Sequence, residues 1–183
     1  PALIEPFDLP DLVSTVTLTV HSQSDHFAQV VEKGRGILST EPGNEALTAA
    51  SAHVTPSTIS DILFTSGTTG QAKGVVTDHG QNLQAFSAFV DILGLEPTDN
   101  YLIINPFFHS FGYKAGWLAT MIAGATAFPQ AIFDVPTVIQ QIQRHGINVM
   151  PGPPTLFQSL LDHEDFDREK LKTLSKATTG AAV

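Results

Sequence analysis

The sequence predicts an α/β fold built on a mainly parallel sheet with flanking helices, and three observations predict it. From Asp61 onward short apolar runs alternate with helical patterns, the signature of βαβ units. Helix stops and starts fall where such units need them, at Gly94, Pro136 and Gly146. The 183 residues, 42% of them hydrophobic, are enough for one ordinary domain with a sizeable core.

Taken in order, VSTVTLTV places Val16, Leu18 and Val20 on one face and reads as a half-covered strand. HFAQVVEKG reads as one short helix ended by Gly34. Residues 40 to 58, rich in turn formers and small polar residues, read as a surface connection. Ile62 to Phe64 is the first strand of the main sheet. Leu83, Phe86, Phe89, Val90 and Leu93 then recur at helical spacing after Thr77 or Asp78 as N-cap, and Gly94 closes that helix. Tyr101 to Ile104 is a strand. Gly112 to Ala123, almost wholly apolar or small, is a helix buried on most sides. Strands follow at Ala125 to Phe128, Ile147 to Met150 and Ala177 to Thr179, separated by a helix from Pro136 to Gly146 and a shorter one over Thr155 to Leu161. The mixed-charge run DHEDFDREKLK is a solvated face.

Nine basic against eighteen acidic residues give a formal charge of −9, so nucleic acid and anionic lipid are poor partners and any anion must be captured locally. The absence of cysteine removes disulfides, thiolate metal sites and a cysteine nucleophile. No apolar run reaches the roughly 18 residues of a membrane span. A cytoplasmic protein is expected, of mean hydropathy +0.09. The chain opens at Pro1 and stops at ATTGAAV, an apolar segment running into a Gly-Ala turn, and is expected to be a piece of a larger protein.

The chemistry concentrates in TSGTTGQAKGVV, residues 65 to 76, which follows the apolar run ILF. A glycine-rich loop leaving a strand lets backbone N–H groups approach a ligand, and such concave amides favour phosphate oxygens. The hydroxyls of Thr65, Ser66, Thr68 and Thr69 add donors, and Lys73 adds a mobile positive charge. A plain surface turn is the alternative. The Walker spacing fails, because Ala72 stands five residues after Gly67 and Lys73 is followed by Gly74; the dinucleotide pattern GxGxxG is absent.

LFTSGTTGQAKGVV closely resembles the signature phosphate loop of the adenylate-forming superfamily, with Ala72 where proline is commonest. The resemblance implies that Thr65, Ser66, Gly67, Thr68, Thr69, Gly70 and Lys73 hold the β and γ phosphates of ATP. INPFFHSFG resembles the family's second core segment, which implies that His109, with Phe108, Phe111 and Gly112, lines the acyl and carboxylate pocket. GPPTLFQSLL resembles a helix start beside that pocket. TTGAA resembles the turn that packs on adenine, with Gly180, Ala181 and Ala182 matching. By the same resemblance, residues 1–58 are a partial N-terminal region and connecting loop, and 59–183 belong to the α/β core of the large N-terminal domain. The magnesium-holding acidic residue, the ribose-binding aspartate and the mobile C-terminal domain are expected beyond residue 183.

The implied reaction joins a hydrophobic carboxylic acid, fatty or similar, to AMP at the expense of MgATP, then passes the acyl group to coenzyme A. No proton need be abstracted in the first step, so His109 is not expected to be a general base; without the resemblance it would read as a core histidine. Lys114, in a nearly uncharged stretch, is expected to be paired or exposed, or to meet an acidic substrate group. The aromatics Phe107, Phe108, Phe111, Tyr113 and Trp117 line an acyl tunnel or pack the core. The other histidines are scattered without metal-ligand spacing, and no metal site is assigned. A non-catalytic nucleotide- or anion-binding module and an inert structural fragment stay open as other readings.

Overall fold

The structure, a computed structural model, describes residues 16–17, 25–65 and 73–180. The backbone divides into two units, Pro1–Thr55 and Pro56–Val183. In the first unit, β1 (Val16–Thr17) pairs in parallel with β2 (Asp25–His26). The rest of the strand expected over VSTVTLTV lies outside the described residues.

Two expectations fail in this unit. The helix α1 (Phe27–Leu38) runs through Gly34 and Gly36 instead of stopping at Gly34. A glycine inside a helix costs only about 1 kcal/mol against alanine, and neither residue adopts the left-handed conformation that would end one. Residues 41–52, expected in an irregular connection, form α2 (Glu41–Ala52). Thr40 caps it by accepting the Gly43 N–H at 3.2 Å, and Pro42 sits in the first turn, where no N–H is needed. The turn formers at its head hide an alanine-rich body of high helix propensity.

The second unit begins with a hairpin. β3 (Ile59–Thr65) pairs antiparallel with β4 (Lys73–Asp78), with Thr65 opposite Lys73. Ile62 to Phe64 is therefore a strand, as expected, but of this separate two-stranded sheet. Asp78 then caps α3 (His79–Leu93): its carboxylate accepts the Gln81 N–H at 2.7 Å, and the Gln81 side chain accepts the Asp78 N–H at 3.1 Å. Gly94 ends α3 in the left-handed conformation. Leu83, expected on the buried face, is exposed, and Asn82 takes the inward position beside it.

The main sheet has four parallel strands in the order β6-β5-β7-β8: β5 (Asn100–Ile103), β6 (Thr126–Pro129), β7 (Val149–Gly152) and β8 (Lys176–Thr179). Alternation along β5 separates two cores. Leu102 and Ile104 pack with Val138, Ile139 and Ile142 of α5 (Val135–His145) and Leu156 and Leu160 of α6 (Pro154–Leu161). Tyr101 and Ile103 pack on the other face with Val90 of α3 and Ala119 of α4 (Ala119–Ala123). Asp134 caps α5 through the Thr137 N–H at 3.0 Å, and Gly146 stops it with φ 58°.

Where the strands meet the loops, buried Asp99 ties the layers. It accepts from Asn148 Nδ2 at 2.6 Å, the Glu96 N–H at 2.8 Å and Lys176 Nζ at 2.8 Å, so the entry to β5 is fastened to β7 and β8. Among the described residues no helix is long and apolar enough to cross a membrane.

Candidate functional site

In an open parallel sheet the ligand crevice forms outside the carboxyl ends of the strands, where the strand order reverses. Here the reversal lies between β5 and β7, and Asn105 bridges it by donating to the Pro151 carbonyl at 3.3 Å. The chain leaving β5 at that point is Asn105 to Ser110, which carries His109.

The Asn105 to Ser110 loop is held by its own backbone and by the helix after it. The His109 N–H donates to the Pro106 carbonyl at 3.0 Å, and the Phe111 N–H donates to His109 Nδ1 at 3.1 Å, which leaves Nε2 to carry the proton of the neutral ring. Residues 112 to 123, expected as one buried helix, form a π-helix (Phe111–Leu118) that continues into α4. Such π turns are rare and recur at functional sites. Three contacts set this one. The buried Tyr101 hydroxyl donates to the Ala115 carbonyl at 2.6 Å, and burial pushes the Tyr101 phenol pKa up. A Cβ on Gly116 would stand 2.8 Å from the Ile103 side chain. Gly112 lies so close to the backbone of Asn105 and Pro106 that a Cβ there would overlap both carbonyl oxygens.

Lys114 is the buried cation of the π-helix, 6% exposed, and of the expected alternatives it takes the paired one. Its Nζ lies 2.9 Å from Asp61 Oδ1 on β3 and donates to Thr77 Oγ1 on β4 at 2.9 Å. Asp61 also accepts from Thr77 Oγ1 at 2.9 Å and from Asn82 Nδ2 of α3 at 2.7 Å. Burial would raise the Asp61 carboxyl pKa, but the hydrogen bonds from Lys114, Thr77 and Asn82 and the Lys114 charge outweigh it and hold the group below its ordinary value. These partners escaped the sequence reading. The signal was present: Asp61 shares a strand face with Leu63, and a cation in an uncharged stretch demands a carboxylate somewhere.

Two cavities share the His109–Ser110 wall. One, of about 170 Å³, is lined by Leu63, Phe64, Thr65 and Val75 of the hairpin with Phe108 and Lys114. The other, of about 330 Å³, lies between Phe86 and Phe89 of α3, Phe111 and Ala115, and the end of β8 at Thr178, Thr179 and Gly180. Of the residues expected to form the site, Thr65, Phe108 and His109 meet in the first, and His109, Phe111 and Gly180 in the second. Lys73 stands across the hairpin from Thr65, whose hydroxyl donates to its carbonyl at 3.4 Å, and lines neither cavity. Gly112 is buried beneath the wall, not on it. Tyr113 and Trp117 stack on each other at 5.6 Å and line neither cavity. Ser66, Gly67, Thr68, Thr69, Gly70, Ala181 and Ala182 lie outside the described residues. Phe86, Phe89, Thr178 and Thr179 join the lining without having been singled out for it.

Asp61 and Asp99 make acid lability a checkable consequence. At Asp99, too, burial raises the pKa and the bonds from Lys176, Glu96 N–H and Asn148 more than reverse it. A carboxylate with a depressed folded pKa adds stability that is full above its unfolded pKa of about 3.9 and is lost as pH falls through the folded value. Urea midpoints are expected to vary little on account of these groups between pH 5 and 7. Below pH 4 stability should fall, with a slope of at most about 1.4 kcal/mol per pH unit for each carboxylate. A flat profile from pH 5 to pH 3 would contradict the pairing.

The family model described as "AMP-binding enzyme" matches residues 8–183. A 7a-methyl-1,5-dioxo-octahydro-1H-inden-4-yl propanoyl:CoA ligase of Rhodococcus jostii is 50% identical over 135 residues, 74% of this chain and 26% of that protein. The ligase of the same name from Mycobacterium tuberculosis is 45% identical over 178 residues, 96% of this chain and 33% of its own length. ATP-bound MatB from Rhodopseudomonas palustris superposes with a TM-score of 0.65 at 25% identity, over 70% of this chain and 25% of that one. The chain thus spans about a quarter to a third of the length of the relatives it matches.

Proposed function

The chain belongs to the AMP-binding enzyme family, and from that premise we propose that the whole protein activates a hydrophobic carboxylic acid with ATP and transfers its acyl group to coenzyme A. The observation that carries the reading is the shared His109–Ser110 wall, with the root of the glycine-rich loop on one side and an aromatic cleft on the other. A cleft of about 330 Å³ is at the small end of the usual range for small-molecule sites, roughly 300–1,000 Å³. Three phenylalanines in its lining favour an apolar acyl group. The two relatives named for a bicyclic propanoyl group make a ring-bearing propanoate the first acid to test.

In the proposed reaction a carboxylate oxygen attacks the α-phosphorus of ATP, the bond to the leaving pyrophosphate breaks, and the acyl-adenylate forms. The thiol then attacks the acyl carbonyl and AMP departs. The carboxylate is already ionised, so this chain's part is positioning and charge stabilisation: Thr65, Ser66, Gly67, Thr68, Thr69, Gly70 and Lys73 for the phosphates, His109 and Phe111 for the acid, and Gly180, Ala181 and Ala182 for adenine. Among the described residues no three His, Asp or Glu side chains could hold a metal, so no magnesium ligand is assigned here. A cytoplasmic reaction is part of this proposal. The 183-residue piece alone is proposed to bind nucleotide weakly and not to turn over.

The test is ATP–pyrophosphate exchange by the full-length protein across a panel of acids. Exchange should require the acid and be fastest with bulky ring-bearing propanoates. His109→Ala should lower kcat/KM for the acid by about tenfold to a hundredfold. No exchange with any acid, alongside measurable ATP binding, would favour a nucleotide-binding module instead.

A further inference from the structure

We propose that the Asp61–Lys114 pair, completed by Thr77 and Asn82, is a positioning clamp that sets the phosphate-loop hairpin against the wall of the acid pocket. The inference rests on the ligase reading above and adds to it residues which that reading assigns to neither substrate.

Topology is the first support. Asp61 and Thr77 stand on the two strands that deliver and receive the glycine-rich loop, and Lys114 stands on the helix that continues directly from His109 and Ser110. The second is chemistry. A buried ion pair is a poor source of stability compared with apolar side chains of the same volume, whereas hydrogen bonds fix distance and angle where apolar surfaces slide. Each of the four side chains makes at least one hydrogen bond within the cluster, and no buried side-chain polar atom among the described residues lacks a partner. Location is the third: Lys114 lines the same cavity as Thr65 and His109, so the clamp borders the space between loop root and acid wall. Asp61 is the group that faces Lys114 with charge; Thr77 and Asn82 are neutral. Attack of a carboxylate on the α-phosphorus requires both substrates in one register, and an error near 1 Å can slow such a step about a hundredfold. The thiol step follows loss of pyrophosphate and makes no demand on the loop.

The test uses the full-length protein with Asp61→Asn and Lys114→Met combined, which keeps shape and removes both charges. Acid-dependent pyrophosphate exchange should fall about a hundredfold in kcat, while thioester formation from supplied acyl-adenylate and coenzyme A stays within about threefold of wild type. Equal loss in both half-reactions, or loss in neither, overturns the clamp. Amide hydrogen exchange decides the same question without turnover: residues 73–78 and 111–118 should both exchange at least about tenfold faster in the double variant. Unchanged protection there also overturns it. A wild type inactive with every acid would sink the ligase reading and leave hydrogen exchange to judge the clamp.

Discussion

Lys114→Met is expected to lower unfolding stability by about 3 kcal/mol at pH 7, the cost of stranding a mostly buried carboxylate. Asp61 is only 12% exposed at its side chain, and without Lys114 its remaining donors are Thr77 and Asn82, both neutral. The combined Asp61→Asn, Lys114→Met variant removes the charge with its partner and should lie within about 1 kcal/mol of wild type. The deficit of the single variant should also shrink as pH falls from 7 to 4, because burial without Lys114 raises the Asp61 pKa and protonation there removes the stranded charge. Urea midpoints at pH 7 and pH 4 for the three proteins check all of this. Equal stability of the single and double variants would show that packing, not the charge pair, matters at this position.

Gly112→Ala is expected to cost about 3 kcal/mol and to damage the site beyond that, a large effect for one methyl group. The added Cβ would meet the carbonyl oxygens of Asn105 and Pro106, which are main chain and cannot rotate away. Relief requires the loop from Asn105 to Ser110 to move off the π-helix, and His109 moves with it. Gly80→Ala is a fair comparison: there the nearest contact is the Pro56 Cβ at 3.2 Å, with the Pro56 carbonyl oxygen at the same distance. Thermal unfolding and pyrophosphate exchange on both variants would separate the two cases. A Gly112→Ala protein with wild-type exchange would mean that the His109 loop tolerates displacement.

The four strands of the main sheet fall within two residues of where the sequence pattern puts them; β5 and β7, buried on both faces, announce themselves by composition alone, whereas β6 and β8 keep exposed residues at the sheet edges. Gly94, Asp78 and Gly146 act where they were expected, since caps and stops are local chemistry. The failures are local rules overruled by neighbours. Lys73 to Asp78 looks like the tail of a loop, and only pairing with β3 makes it a strand. Residues 41–52 show their turn formers first and their alanines second. Leu83 fits the helical stripe yet faces solvent, because Asn82 is drawn inward by the Asp61 carboxylate.

By itself the sequence determined the fold class, the phosphate-loop signature and the family likeness, all of which reside in contiguous residues whose spacing can be read directly. Tertiary structure alone decided which of them meet. The reversal of strand order brings Thr178 to Gly180 beside His109 although the intervening chain includes two whole strands. The partner of Lys114 lies on the far side of a hairpin and a helix. Contacts of that range depend on how layers stack, and layer stacking is set by the summed burial of many side chains, which no single stretch of sequence records.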